Sequence, residues 1–165
     1  MIRITTLLSV AFLMAMPSSW ASGGMAKTIL WFDVPQELAQ GGRMINDGRV
    51  EEGMDLTRKM LGESLGMNGM AMAYTNLCAG YLHLGQYQEA MRECQRGLKL
   101  RPRQWQALNN RGGANHGLGN YAAAISDFMR ALMLKPDNED IAYNLNISRI
   151  SQRMASPPPL DDNES

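Results

Sequence analysis

The sequence predicts an all-α fold, a solenoid of stacked antiparallel helix hairpins closed by a capping helix. Three observations carry that expectation. Ten places in residues 71–138 hold the same residue at a separation of 34: Ala73/Ala107, Asn76/Asn110, Leu84/Leu118, Gly85/Gly119, Tyr87/Tyr121, Ala90/Ala124, Arg96/Arg130, Leu98/Leu132, Leu100/Leu134 and Pro102/Pro136. A fixed period of that size marks a repeat architecture. Within each unit, apolar residues recur at three- and four-residue spacing, the period of a helix with one apolar face. Strand-like alternation is missing throughout.

Residues 1–21 precede the fold. Arg3 gives a positive start, residues 4–16 an apolar run, and Ser19-Trp20-Ala21 a small-x-small cleavage site. Together these predict a secretory signal peptide, too short for a comfortable membrane span. Cysteine is absent next to the cut, which argues against a lipid anchor. The exported chain then begins near Ser22 and works in the periplasm or outside the cell. Losing Arg3 leaves 15 basic against 16 acidic residues, a net charge near −1. That balance argues against nucleic acid or an anionic membrane as the main partner, since both call for a basic footprint.

Residues 22–33 read as an irregular lead-in, with Trp31 and Phe32 available to cover the first hairpin. Asp33, Pro35 and Gln36 suggest an N-cap, an early-helix proline and a capping-box partner. A degenerate unit follows over 34–67. Gly48 is its turn glycine, 37 residues before Gly85, and the three extra residues are expected within 66–70.

The unit 71–104 opens with Tyr74, Leu77, Cys78 and Tyr81 on one face and turns at Leu-Gly-Gln-Tyr (84–87). Glycine there suits the left-handed residue that ends a helix. Ala90, Cys94 and Leu98 form the second face, and Pro102 stops the helix. The unit 105–138 repeats this with Leu-Gly-Asn-Tyr (118–121), then Ala124, Phe128, Leu132 and Pro136. Gly112, Gly113 and Gly117 weaken its first helix, at about 1 kcal/mol for each interior glycine. That helix must lean on its neighbours. Residues 137–140 can cap a final helix over 139–154, with Ile141, Leu145 and Ile150 as its apolar face. Solenoids need such a helix over the last exposed core. Residues 155–165, with three prolines and an acidic end, read as a disordered tail.

These residues resemble the tetratricopeptide repeat family. The fit runs through Tyr74, Leu77, Tyr81, Ala90 and Pro102, and again through Gly112, Ala124, Phe128, Ala131 and Pro136. Cys78 stands at the family's small glycine place, Gly97 at an alanine place and Asn115 at a place usually aromatic. The resemblance implies a right-handed solenoid of about three repeats whose concave groove holds an extended peptide. It places Asn76, Asn110 and Asn144, again 34 apart, on that groove as amides able to bond a peptide's N–H and C=O. Asn109, Thr75, His83, Gln106 and Arg111 flank them. Thr75 and Asn109 stand where relatives carry a lysine for a terminal carboxylate, so a carboxylate clamp is disfavoured.

The function expected is a non-catalytic module that binds a protein or peptide partner. An accessory subunit bracing an envelope complex through its convex face or its ends is the alternative. Nucleophile motifs, phosphate loops and metal-ligand spacings are absent, so neither enzyme nor cofactor is expected. Met67, Met70 and Met72 lie close together, but a thioether copper site lacks a second cluster. Cys78 and Cys94 sit on the two helices of one hairpin. An oxidising compartment would let them bridge. Yet Cys78 should oppose Ala90 rather than Cys94, so two buried thiols are the expectation.

Overall fold

A computed structural model describes residues 34–156. The expected signal peptide, the lead-in with Trp31 and Phe32, and most of the tail lie outside the described residues. Seven helices follow one another: α1 (Gln36–Asn46), α2 (Val50–Leu61), α3 (Met67–His83), α4 (Tyr87–Leu100), α5 (Trp105–Gly117), α6 (Tyr121–Leu134) and α7 (Glu139–Ala155). Strands are absent among the described residues.

The bends between paired helices repeat one device. Gly48, Gly85 and Gly119 have φ of 85°, 69° and 77°. Each lies next to a backbone bond reaching back five residues: Arg49 N–H to Met44 O, Gln86 N–H to Tyr81 O, and Asn120 N–H to Asn115 O. A left-handed residue with that bond is how a helix satisfies its last carbonyls while reversing direction. A side chain at these three glycines would meet open space. The backbone conformation therefore selects glycine there, and packing does not.

Each helix packs on the next, and α1, α3, α5 and α7 also touch in succession. Among the described residues α2, α4 and α6 have no such mutual contact. Odd helices that touch and even helices that splay apart give the stack a concave side, lined by the odd ones. The core runs between the layers. One cluster gathers Leu98, Leu108, Ala124, Phe128, Ala131, Ile141 and Leu145; another gathers Ile45, Val50, Met54 and Leu77. Phe128 is 1% exposed, worth about 1.5–3 kcal/mol in apolar burial alone.

The glycine-rich α5 holds together by close approach. A Cβ on Gly112 would come within 2.7 Å of the Phe128 ring, and one on Gly117 within 2.5 Å of the Tyr87 ring. These positions cost helix propensity and gain tight contact with the helices on both sides.

The structure qualifies the sequence expectations at four places. Pro35 stands at the N-cap of α1 with no side-chain cap, and the expected cap Asp33 lies outside the described residues. The extra residues expected within 66–70 do fall there, as the added first turn of α3 at Met67–Met70. On α7, Ile150 is 44% exposed and the buried face is Ile141, Leu145 and Ser148. The cysteine pair departs from expectation too. Cys78 and Cys94 form a disulfide, with Cα atoms 5.2 Å apart. Ala90 and Cys94 are four apart and so share one helical face. Cys78 meets both, and the small Ala90 leaves room for the bridge.

Candidate functional site: the concave groove

A cavity of about 500 Å³ opens on the concave side, with walls from α1, α3, α5 and the start of α7. Its lining is mostly neutral amide and apolar: Asn46, Asn76, Gln106, Asn109, Asn110 and Asn138 among the amides, Leu38, Met72, Leu82 and Trp105 among the apolar residues. Charge is confined to the ends. Arg43 on α1 and Asp140 on α7 also line it, as does the exposed His83.

The asparagine series divides by role. Asn76 donates Nδ2–H to the Leu38 carbonyl at 2.7 Å, tying α3 to α1. Gly42 makes room for it, because a Cβ there would lie 2.9 Å from Asn76 Oδ1. Asn144 donates to Asn109 Oδ1 at 3.3 Å, tying α7 to α5. Asn144 itself stands behind Asn109 rather than on the cavity wall. Asn110 and Gln106 hold no hydrogen bond among the described residues, so their amides face the cavity uncommitted. The outer members brace the stack; the middle one is available.

Two other expected groove residues are placed differently. Thr75 lines the cavity, but its buried hydroxyl donates to Ala71 O at 2.8 Å, so its proton is committed within the helix. Arg111 turns away altogether. Its Nε and Nη2 donate to the two oxygens of Asp127 on α6 at 2.8 and 2.6 Å, and Asn115 joins the same carboxylate at 3.3 Å. These residues line a separate depression beside α4 and α6. The hydrogen bond it donates to Asp127 holds the Arg111 guanidinium above its ordinary pKa, outweighing partial burial. Arg111 occupies the place that Leu77 fills one unit earlier, so an ion pair replaces an apolar contact there.

Sequence reasoning missed Gln104. It stands immediately before α5, lines the cavity, and is only 7% exposed. Its Oε1 is buried without a hydrogen-bond partner. Asn138, 34 residues on, fills the equivalent place before α7 but accepts from Ile141 N–H as a helix cap. That recurring amide ahead of the odd helices was a readable signal. Of the histidines, His83 lines the groove while His116 Nδ1 lies 2.9 Å from the buried Ser148 Oγ under α7. Among the described residues no three His, Cys, Asp or Glu side chains gather to hold a metal, and no helix is long and apolar enough to cross a membrane.

Comparison with known proteins agrees with this geometry. The family described as tetratricopeptide repeat matches residues 77–143. Human sperm-associated antigen 1 is 30% identical over 59% of this chain, which spans 10% of that protein. The pea translocon at the outer membrane of chloroplasts 64 is 38% identical over 44% of the chain, which spans 12% of it. The chain thus covers about a tenth of the length of these relatives. Among solved structures, the first TPR of Spaghetti (RPAP3) bound to HSP90 peptide SRMEEVD is 26% identical, with a TM-score of 0.62, covering 73% of this chain and 94% of that one. The second TPR domain of human RPAP3 in complex with HSP70 peptide SGPTIEEVD is also 26% identical, with a TM-score of 0.57, covering 68% and 92%. Matched repeats over residues 77–143, three glycine-turned hairpins and a shared inner face of odd helices give the described residues a fold similar to that of tetratricopeptide repeat domains.

Proposed function

We propose that this chain is an exported, non-catalytic binding module that holds an extended segment of a partner protein in its concave groove. One observation carries the reading: a cavity walled by successive odd helices whose middle amides, Gln106 and Asn110, are uncommitted while the outer asparagines brace the walls. Amides of that kind meet both the N–H and C=O of a peptide. The similar structures hold the acidic peptides SRMEEVD and SGPTIEEVD. Here the groove centre is neutral and lacks the lysines of a carboxylate clamp, which favours an uncharged internal stretch. The Cys78–Cys94 bridge supports export, because disulfides persist where the surroundings oxidise.

A displayed library of acetylated, amidated twelve-residue peptides, selected against residues 22–165, tests this. A selected binder should lose at least about tenfold in affinity on Gln106→Ala/Asn110→Ala, the scale of one or two lost hydrogen bonds. Gln95→Ala/Ser126→Ala on the outer side should change nothing. The reverse pattern contradicts the groove reading.

A second reading rests on the C-terminal end, where Met133, Tyr143 and Met154 are 82%, 65% and 76% exposed. Apolar side chains left out of the fold there suit an accessory subunit that docks by its end. In that case Tyr143→Ser/Met154→Ser abolishes association with the envelope complex and the groove variant does not.

A further inference from the structure

The geometry points to Gln104 as the residue that sets the ligand chemistry of the groove, by accepting a hydrogen bond from a main-chain N–H of the bound segment. This rests on the groove reading above and deepens it. Buried polar atoms are almost always satisfied, and one left unpaired calls for an explanation. Gln104 Oε1 is such an atom, on a side chain more than nine-tenths buried. The residue lines the same cavity as the uncommitted Gln106 and Asn110.

Capping does not explain it. No side-chain bond closes the start of α5, whereas Asn138 in the equivalent place does cap α7. Gln104 differs from Asn138 by one methylene, which carries its amide past the helix end. A half-turn of the amide about its last torsion, a soft one, exchanges the positions of Oε1 and Nε2 and so offers the oxygen where the nitrogen stood. An acceptor in that position selects a donor. In that orientation it does not suit a carboxylate, which has only acceptors when ionised and would need the amide's Nε2–H instead. With Asn110 offering both N–H and C=O nearby, the fitting ligand is a stretch of extended main chain with its N–H directed at Gln104.

The test uses the peptide selected from the amidated library and a set of analogues, each with one backbone nitrogen methylated. On the native chain, methylation at one position should weaken binding about tenfold, the worth of one hydrogen bond to a buried acceptor. On Gln104→Met, of similar length and lacking the acceptor, that same analogue should bind as well as the unmodified peptide. The variant's thermal midpoint should match or exceed that of the native chain, because an unsatisfied buried group has been removed. Identical methylation profiles on the two proteins overturn the assignment of Gln104 while leaving the groove reading intact. A binder indifferent to Gln106→Ala/Asn110→Ala overturns both.

Discussion

The hairpins α3–α4 and α5–α6 are the same unit written twice, yet they close the same gap by different chemistry. At one pair of equivalent places the first has Cys78 and Cys94, joined by a disulfide. The second has Gly112 and Phe128, where the ring lies against bare backbone. In α1–α2 the equivalent places hold Gly41 and Thr57, and a Cβ on Gly41 would come 2.7 Å from Thr57 Oγ1. The helix spacing is thus kept while its means vary: a covalent link, an aromatic ring over glycine, a small polar contact. Each is a way of filling a fixed volume at native density. What a repeat keeps is the geometry of the gap, and residue identity is free to change as pairs.

That comparison can be broken in order of expected effect. Phe128→Ala should be the most damaging change, costing about 3–5 kcal/mol in urea unfolding, because the glycine opposite cannot fill the hole. Reducing the Cys78–Cys94 bridge should cost about 2–3 kcal/mol, as expected for a loop of that length. Hydrogen exchange should locate the first loss of protection in α3 and α4. Equal loss along all seven helices would mean the stack unfolds as one unit, and the hairpins are not separate solutions.

Two acids at equivalent places sharpen the contrast. Asp127→Asn strips Arg111 of its partner inside a half-buried pair and should cost about 1–3 kcal/mol. Glu93→Gln, its counterpart in α4, breaks only an i,i+3 surface pair with Arg96. That change should stay within about 0.5 kcal/mol. A larger penalty for Glu93 than for Asp127 would reverse the account of the polar substitution in α5–α6.

Period, turn chemistry and helix faces were legible in the sequence because they depend on near neighbours along the chain. Gly85 and Gly119, Ala90 and Ala124, Phe128 and Asn138 all stand where local rules put them. What escaped depends on distances between repeats. The commitment of Asn76 to the Leu38 carbonyl needs α1 close against α3, which Gly42 permits and no spacing announces. The resemblance implies a groove place for Arg111, but a residue one along a helix from Asn110 points about 100° away from it. There it found Asp127. Spacing sets Cys78 opposite Ala90, but a residue on one helix touches two successive turns of the other, and Cys78 reaches Cys94 as well. The burial of Gln104 follows from how α5 enters the stack, which composition does not encode.

The central claim is that the inner face of the odd helices takes the ligand. Backbone amide and side-chain amide chemical shifts, recorded while the selected amidated peptide is added to the labelled chain, test it most directly. The account predicts perturbations gathered at Asn76, His83, Gln104, Gln106, Asn109 and Asn110, with Gln95, Ser126 and Arg130 unmoved. Perturbations gathered on α4 and α6, or at Tyr143 and Met154, would contradict it.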